Sequence, residues 1–511
     1  MKFKFDKSID WAITLLPLII IIVLSTLLMS FPEESTVVVE MLRQMFVNDL
    51  GFFYILLGLG VLITAIVLAF SKYGNIKLGK LDKPRYSTFS WASMIFTSTM
   101  AADILYWSLC EWTYYYNATP FALQDLTLAQ QQDFASAYPL FHWGPIPWAF
   151  YILPACAYGY MFFVRKRKRQ TLSEAVRPII KDHSDRKLGR FIDIFAIVGL
   201  IAGTATTFSL ATPLLSQALA RIMGIEASHY LSIGILLIIG IVFMVAVLKG
   251  MKAISYLANI CVVVFLTLAA IFIFAGPKIY LLETGITAIG HTINNFFSMA
   301  TWMDPLRLSG AGGSGFPQDW TIFYWSYWIA WFVATPFFIA KISEGRTIKN
   351  VILGGLFSGL AGTFTSFIVF GGYGLYLQTQ GILDLAGLIA NGTPPAMVIM
   401  MIFETLPLTN VVLILLIVAM VAFYASTFDA ITLVVASYSE KDETRIEEPR
   451  KKLRAFWAIV FLLLPIALMF SDSTLEMLKT ISIAAAFPLG IIMIMVIVSF
   501  FKELKEDNPN L

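Results

Sequence analysis

Apolar runs of about twenty residues recur along the whole chain, and they leave few folds open. A run of that length matches the roughly 30 Å hydrocarbon thickness of a bilayer. Within hydrocarbon every backbone N–H and C=O must be satisfied inside the protein, so only helices or a closed barrel can span. These runs are continuous, without the alternation of barrel strands, and therefore read as helices. They fall at about 11–29, 51–70, 89–112, 141–164, 191–218, 231–248, 254–275, 321–340, 353–377, 410–434, 454–470 and 480–501, which makes twelve expected spans. The first follows Lys2, Lys4 and Lys7. A secretory signal would begin the same way, but the run is too long for its apolar segment and lacks a small-residue cleavage site, so a retained span is expected.

Loop charge tests the count. Basic loops lie at 72–85, 165–190, 249–252, 341–349 and 441–454, whereas loops 113–138 and 378–409 hold no Lys or Arg. Basic and basic-poor loops alternate, as an even number of spans with both termini cytoplasmic requires. The run Arg165-Lys166-Arg167-Lys168-Arg169 is expected to anchor that topology and to meet anionic lipid. Segment 276–319 contains an apolar run at about 280–299. It reads as an amphipathic helix along the surface; an extra span would break the charge alternation.

Composition agrees with the lipid bilayer as the chain's surroundings. Only 14% of the residues are charged and mean hydropathy is +0.77, against roughly 25% charged in soluble domains. The net charge of +3 carries little meaning in such a protein, where the location of Lys and Arg matters and not their sum, and no nucleic-acid partner is expected. Cys110, Cys156 and Cys261 all fall in apolar runs and read as reduced core residues. The sequence has no CxxC, HExxH or Gly-rich phosphate loop, and His142, His183, His229 and His291 are scattered. No catalytic residues or cofactor are therefore expected.

One span is unusual. The stretch Asp319-Trp320-Thr321-Ile322-Phe323-Tyr324-Trp325-Ser326-Tyr327-Trp328 continues to Trp331, Thr335 and Pro336. Trp320, Tyr324, Trp328, Trp331 and Thr335 recur at spacings of three and four and share a helical face. Tryptophan and tyrosine ordinarily mark the two lipid–water borders instead of running inward. A ring-lined interior face is what a cation without hydrogen-bond donors needs, each ring face contributing roughly 0.5–2 kcal/mol. Aromatic packing between helices, or a border belt, would give the same letters.

This stretch resembles the signature of the betaine/carnitine/choline transporter family: a small residue or Asp, then Trp-Thr-aliphatic-x-aromatic-Trp-x-Trp-Trp. The sequence reads DWTIFYWSYW and departs at Tyr327, where the family usually has Trp. The run 338–347 (FIAKISEGRT) is also similar to the family's cytoplasmic continuation. The resemblance covers most of the chain, from about span 2 to span 12. It implies an all-α polytopic protein of twelve transmembrane helices in the cell (cytoplasmic) membrane. Two inverted five-helix repeats, at 89–275 and 321–501, would form a LeuT-like fold preceded by two peripheral helices at 11–70. Such transporters hold substrate where broken helices meet at mid-membrane. The small and polar run Thr97-Ser98-Thr99-Met100-Ala101-Ala102 in span 3 and Pro336 in span 8 are the expected breaks.

The resemblance also assigns residues. Phe141-His142-Trp143-Gly144-Pro145-Ile146-Pro147-Trp148-Ala149-Phe150-Tyr151 is similar to the family's His-Trp-x-x-x-Pro-Trp-x-x-Tyr element. It implies that Trp143, Trp148 and Tyr151 face Trp328 and Trp331 in an aromatic cage, with Tyr327 beside them and Tyr114 matching a cage tyrosine. The prolines in this element free backbone carbonyls that need partners. His142 and Glu111 read as structural, and Tyr115 and Tyr116 as border tyrosines. Asp103 stands at the last position of a run, Thr99 to Asp103, where betaine-transporting members have Gly-x-Gly-x-Gly and proton-coupled choline members are similar in carrying Asp. A mid-span carboxylate is costly and points to function. Two roles stay open, as counter-ion to an ammonium substrate that lacks its own carboxylate or as carrier of a coupling proton, with Met100 beside it in ion coupling or head-group selection. A salt bridge or a helix cap would also account for it.

In span 10, Ser426 and Thr427 resemble the hydroxyl pair that binds Na⁺ in sodium-coupled members. Sodium-independent antiporters of the family place an Arg in span 7, at a position matched here by Ala258. Serine and threonine in membrane helices also bond preceding carbonyls or neighbouring helices, which is the alternative for these two and for Thr204, Thr206 and Thr207. The expected function is secondary active transport of a quaternary ammonium compound (choline, glycine betaine or carnitine) by Na⁺- or H⁺-coupled symport. An ion-independent exchanger is the rival within the class. A membrane-embedded enzyme on a choline-like substrate would need a nucleophile–base pair or a metal cluster, and the sequence offers none. The family's better-known members are trimers, so the resemblance also implies a homotrimer.

Overall fold

The computed structural model describes residues 6–98, 101–118, 120–123, 125–249, 251–310, 314–441, 449–470 and 475–510, with backbone alone at 246, 248–249 and 251–259. Thr99, Met100 and the side chain of Ala258 therefore lie outside the described residues. Among the described residues the chain is helical, with two isolated β-bridges, Ile9 to Glu440 and Lys77 to Thr347, in place of sheet. Eight helices are long and apolar enough to cross a membrane, and two bent pairs bring the number to ten. The protein is a multi-pass membrane protein.

Two expected spans fall outside that count, and the first does so because its helix is broken. Expected span 3 is divided into Thr88–Ser98 and Ala102–Asn117, with Ala101 extended between them. Expected span 6 is the helix His229–Lys249, 21 residues long and apolar from Leu231 to Leu248, a length that matches a span. The pairs that bend are equally informative. Pro317–Trp331 and Thr335–Ile342 meet at 57°. Pro336, at the start of the second helix, has no N–H for the Phe332 carbonyl and cannot continue the first. The helix after Ala275 turns through 110° into Lys278–Asn294, so this apolar segment runs across its predecessor and not along it.

The Leu128–His142 and Pro145–Phe163 helices meet at a break whose cause is local. Pro145 and Pro147 remove the donors that would serve the carbonyls of Phe141 and Trp143. Both carbonyls find replacements, Phe141 from the Gly144 N–H at 3.1 Å and Trp143 from the Thr363 hydroxyl at 2.9 Å. A side chain at Gly144 would collide with the Leu140 carbonyl oxygen at 2.5 Å.

The basic run after this helix meets protein. Arg165 pairs with Glu506 at 3.1 Å and Asp507 at 2.8 Å, and Arg167 pairs with Glu503 at 2.6 Å, all on the Leu475–Asp507 helix. Arg169 reaches Asp185 at 3.1 Å. Hydrogen bonds from Arg177 hold the Asp185 carboxyl below the ordinary carboxylate range. These arginines, expected to meet anionic lipid, fasten one helix end to another.

Candidate functional site

The core of the molecule is aromatic where three segments meet. Trp328, on the helix Ile322–Trp331, is the centre. Around its ring stand Tyr151 at 4.9 Å between centroids, Trp143 at 5.4 Å and Trp148 at 5.5 Å, the last two edge-on. All four are buried. Trp143 sits at the break described above, which turns its indole away from the register of either helix. Trp148 and Tyr151 lie three residues apart and present neighbouring rings, 5.9 Å apart.

Trp143 is held by its nitrogen. Its Nε1–H donates to Glu111 Oε2 at 2.8 Å, and the other carboxylate oxygen accepts from the Tyr115 hydroxyl at 2.7 Å. Tyr115 also meets His142 Nδ1 at 2.7 Å, and His142 Nε2 meets Thr321 Oγ1 at 3.1 Å. Glu111, Tyr115 and His142 are fully buried. The structural reading of Glu111 and His142 gains its detail here, because together they fix one ring of the cluster. Tyr115, expected at a membrane border, is instead an interior link. Tyr116 is only part-buried.

The other indoles differ. Trp148, Trp325, Trp328 and Trp331 each keep a buried Nε1–H with no hydrogen-bond partner among the described residues. A buried donor left unpaired costs about 1–3 kcal/mol. Two of the four, on Trp148 and Trp328, lie in the ring cluster, where a ligand or water would satisfy them.

Beside the rings lies Asp103, in the first turn of Ala102–Asn117, where the helix dipole favours a negative charge. Its carboxylate accepts from the Ile104 N–H at 3.0 Å and from the Tyr327 hydroxyl at 2.8 Å. Tyr327 also meets the Thr207 hydroxyl at 2.5 Å. Asp103 and Tyr327, from separate helices, are thus hydrogen-bonded to each other. Of the span 5 hydroxyls, all three bond preceding carbonyls, of Ile201, Ala202 and Gly203, while Thr206 also reaches the Leu478 carbonyl and Thr207 reaches across to this pair. Asp103 also lies close enough to Tyr151 and Tyr424 to act on both electrostatically.

Four expected members stand apart. Tyr114 packs on Trp320 at 4.7 Å, two turns of helix before Trp328. Trp331, the last residue of its helix, is part-buried and meets none of the cage rings. Ser426 and Thr427 are part-buried on Thr409–Ser439, and neither hydroxyl has a hydrogen bond among the described residues. Nearby Tyr424 is tied to Thr212 at 2.8 Å. No group of three His, Cys, Asp or Glu that could hold a metal ion occurs among the described residues.

Close backbone approach shapes the cluster as well. A Cβ on Gly359 would lie 2.3 Å from Trp148 Cδ2. Gly359→Ala is expected to push the indole toward Trp328 and raise the apparent KM of transport by about 10-fold, the effect of roughly 1.4 kcal/mol of overpacking. Uptake kinetics on the folded variant check this, and an unchanged KM would place Trp148 outside the binding site.

Known transporters resemble the chain over most of its length. The chain is 30% identical over 485 residues to a probable glycine betaine transporter of Desulfitobacterium hafniense, covering 94% of each chain. It is 29% identical to the carnitine transporter of Acinetobacter baumannii, over 86% of this chain and 79% of that one. It is 26% identical to an ectoine/hydroxyectoine transporter of Virgibacillus pantothenticus, over 94% and 93%. These relatives are transporters and not enzymes. A family model described as BCCT, betaine/carnitine/choline family transporter, matches residues 12–509. The chain belongs to the betaine/carnitine/choline family of membrane transporters.

Proposed function

We propose that the protein is a secondary transporter of quaternary ammonium solutes of the choline, glycine betaine and carnitine class. In this reading it sits in the cell membrane with both termini cytoplasmic. The observation that carries the proposal is the enclosure of the Trp328 ring by Trp143, Trp148 and Tyr151, from two other helical segments, at 4.9–5.5 Å. A trimethylammonium group has no N–H to donate and is recognised by ring faces. The unpaired indole N–H groups of Trp148 and Trp328 would meet an acceptor at the substrate's other end. The names of the carnitine and glycine betaine relatives support the same substrate class.

The proposed architecture is twelve spans, with inverted repeats beginning at 89 and 321. Its support is that the first helix of each proposed repeat is broken, at Ala101 and at 332–334. Such breaks are where transporters of this architecture gather substrate and ions. The proposed coupling is ion symport. Ser426 and Thr427 supply oxygens for Na⁺, and Asp103, hydrogen-bonded to Tyr327, supplies a group for H⁺ or a counter-ion for choline. Uptake of choline, glycine betaine and carnitine into proteoliposomes, with and without a Na⁺ gradient and at two values of pH, tests both parts. Accumulation of one of them driven by an imposed Na⁺ or H⁺ gradient is expected. Transport only in exchange for internal substrate would replace symport by antiport, and transport of none would remove the substrate class.

A further inference from the structure

Lys479 is a fully buried lysine on the helix Leu475–Asp507, which packs along the Trp-rich helix. Its ammonium has three protons to donate. Among the described residues it has one hydrogen-bond acceptor, Glu476 Oε1 at 2.6 Å. The rest of the ammonium faces rings, 4.1 Å from the centroid of Trp320 and 5.8 Å from that of Phe323. A desolvated cation over indole gains up to about 2 kcal/mol.

Trp320 heads a ladder of rings that leads to the cage. It meets Tyr324 at 6.5 Å with near-parallel planes, Tyr324 meets Trp143 at 5.8 Å, and Trp143 meets Trp328 at 5.4 Å. Tyr114 flanks the upper rung, 4.7 Å from Trp320. Eight residues separate Trp320 from Trp328, about 12 Å along a helix. The rung farthest from the cage is thus a cation-accepting ring face that the chain itself fills with a cation.

The lysine's second anchor makes it displaceable. Glu476 is half exposed and also pairs with Arg43 at 2.6 Å, which in turn pairs with Asp319 at 2.6 Å. A lysine leaving the ring can stay with Glu476, and a lysine removed altogether leaves Glu476 paired to Arg43. A methylated ammonium, without donors, cannot compete for Glu476 but can take the ring.

We infer that Lys479 is a tethered cation that occupies the Trp320 face, and that a quaternary ammonium travelling to or from the cage must displace it there. This rests on the cage reading above but is tested apart from it. The experiment is equilibrium binding of radiolabelled tetramethylammonium to the full-length protein in proteoliposomes, counted as sites per chain. Wild type is expected to bind at the cage alone. Lys479→Met is expected to gain a second site, which Lys479→Arg, keeping a cation, does not gain. The double variant Lys479→Met/Trp320→Leu is expected to lose the second site again, and Lys479→Gln provides a second neutral variant should methionine impair folding. An unchanged site count in the neutral variants, or a new site that survives Trp320→Leu, would reduce Lys479 to an ion-pair partner of Glu476. Failure of the cage reading has its own signature: wild type would show no site sensitive to Trp328→Leu, while the comparison of neutral variants with wild type still decides the role of Lys479.

Discussion

Trp328→Ala is expected to lower uptake of the quaternary ammonium substrate by at least about 100-fold and to leave the chain folded. The ring is the one that meets all three other members of the cluster, so its loss removes a wall and loosens the rest. Deleting a buried aromatic side chain costs about 3–5 kcal/mol in packing, and roughly two-thirds of that, about 2.7 kcal/mol felt as lost binding, corresponds to 100-fold. Trp328→Phe keeps a ring face and is expected to lose less than about 10-fold, since indole exceeds phenyl by a fraction of the 0.5–2 kcal/mol of a single cation–π contact. Trp325 is a control on the same helix. It is equally buried but faces Phe141 and His142, and Trp325→Phe is expected to leave the substrate's KM near wild type. Equal damage from both phenylalanine variants would mean that these tryptophans serve packing, not recognition.

Asp103→Asn is expected to change what the protein selects. Asn keeps the shape and can still accept from Tyr327, so the local hydrogen bond survives while the charge goes. A unit charge about 6 Å from an ammonium, at an effective dielectric near 20, acts with roughly 3 kcal/mol. The apparent KM for choline, a net cation, is expected to rise by about 10–100-fold. Glycine betaine, net neutral, is expected to change much less. If Asp103 carries a coupling proton, the same variant flattens the pH dependence of uptake instead. Unchanged selectivity together with unchanged pH dependence would leave Asp103 as a helix cap bonded to Ile104. Tyr327→Phe separates the partners: it removes the bonds to Asp103 and Thr207 without touching the charge, and its effect on selectivity is expected to be the smaller of the two.

The legible parts of this structure were those set by local chemistry. The apolar runs found their helices, and Pro336 and the pair Pro145 and Pro147 found their breaks, because a missing N–H acts on its own segment. The three-and-four spacing placed Trp320, Tyr324 and Trp328 on one face, and in the structure the first two stack. Trp331, the last residue of the same helix, keeps the spacing but is only part-buried and makes no ring contact with the cluster among the described residues. Partners were not legible. Nothing local says that Glu111 holds Trp143, residues on different helices, or that Tyr115 is an interior link. Tyr114 was assigned to the cage by its letter-level match, yet it stands against Trp320. Lys479 was lost for a simpler reason. Lys479 stands just before the apolar run at 480–501 and carries no reading from it, whereas the helix begins at Leu475 and takes it into the aromatic core. A single cation at the edge of an apolar run was the available signal.

The central claim is that the rings around Trp328 recognise positive charge and not merely bulk. Choline and its carbon isostere 3,3-dimethylbutanol have nearly the same shape and differ in whether the quaternary centre is charged. The direct measurement is inhibition of labelled-substrate uptake by each, on the same proteoliposomes. The ring cage predicts that the neutral isostere inhibits at least about 30-fold more weakly, the loss of roughly 2 kcal/mol of cation–π attraction. Inhibition by the two at equal concentrations would contradict it.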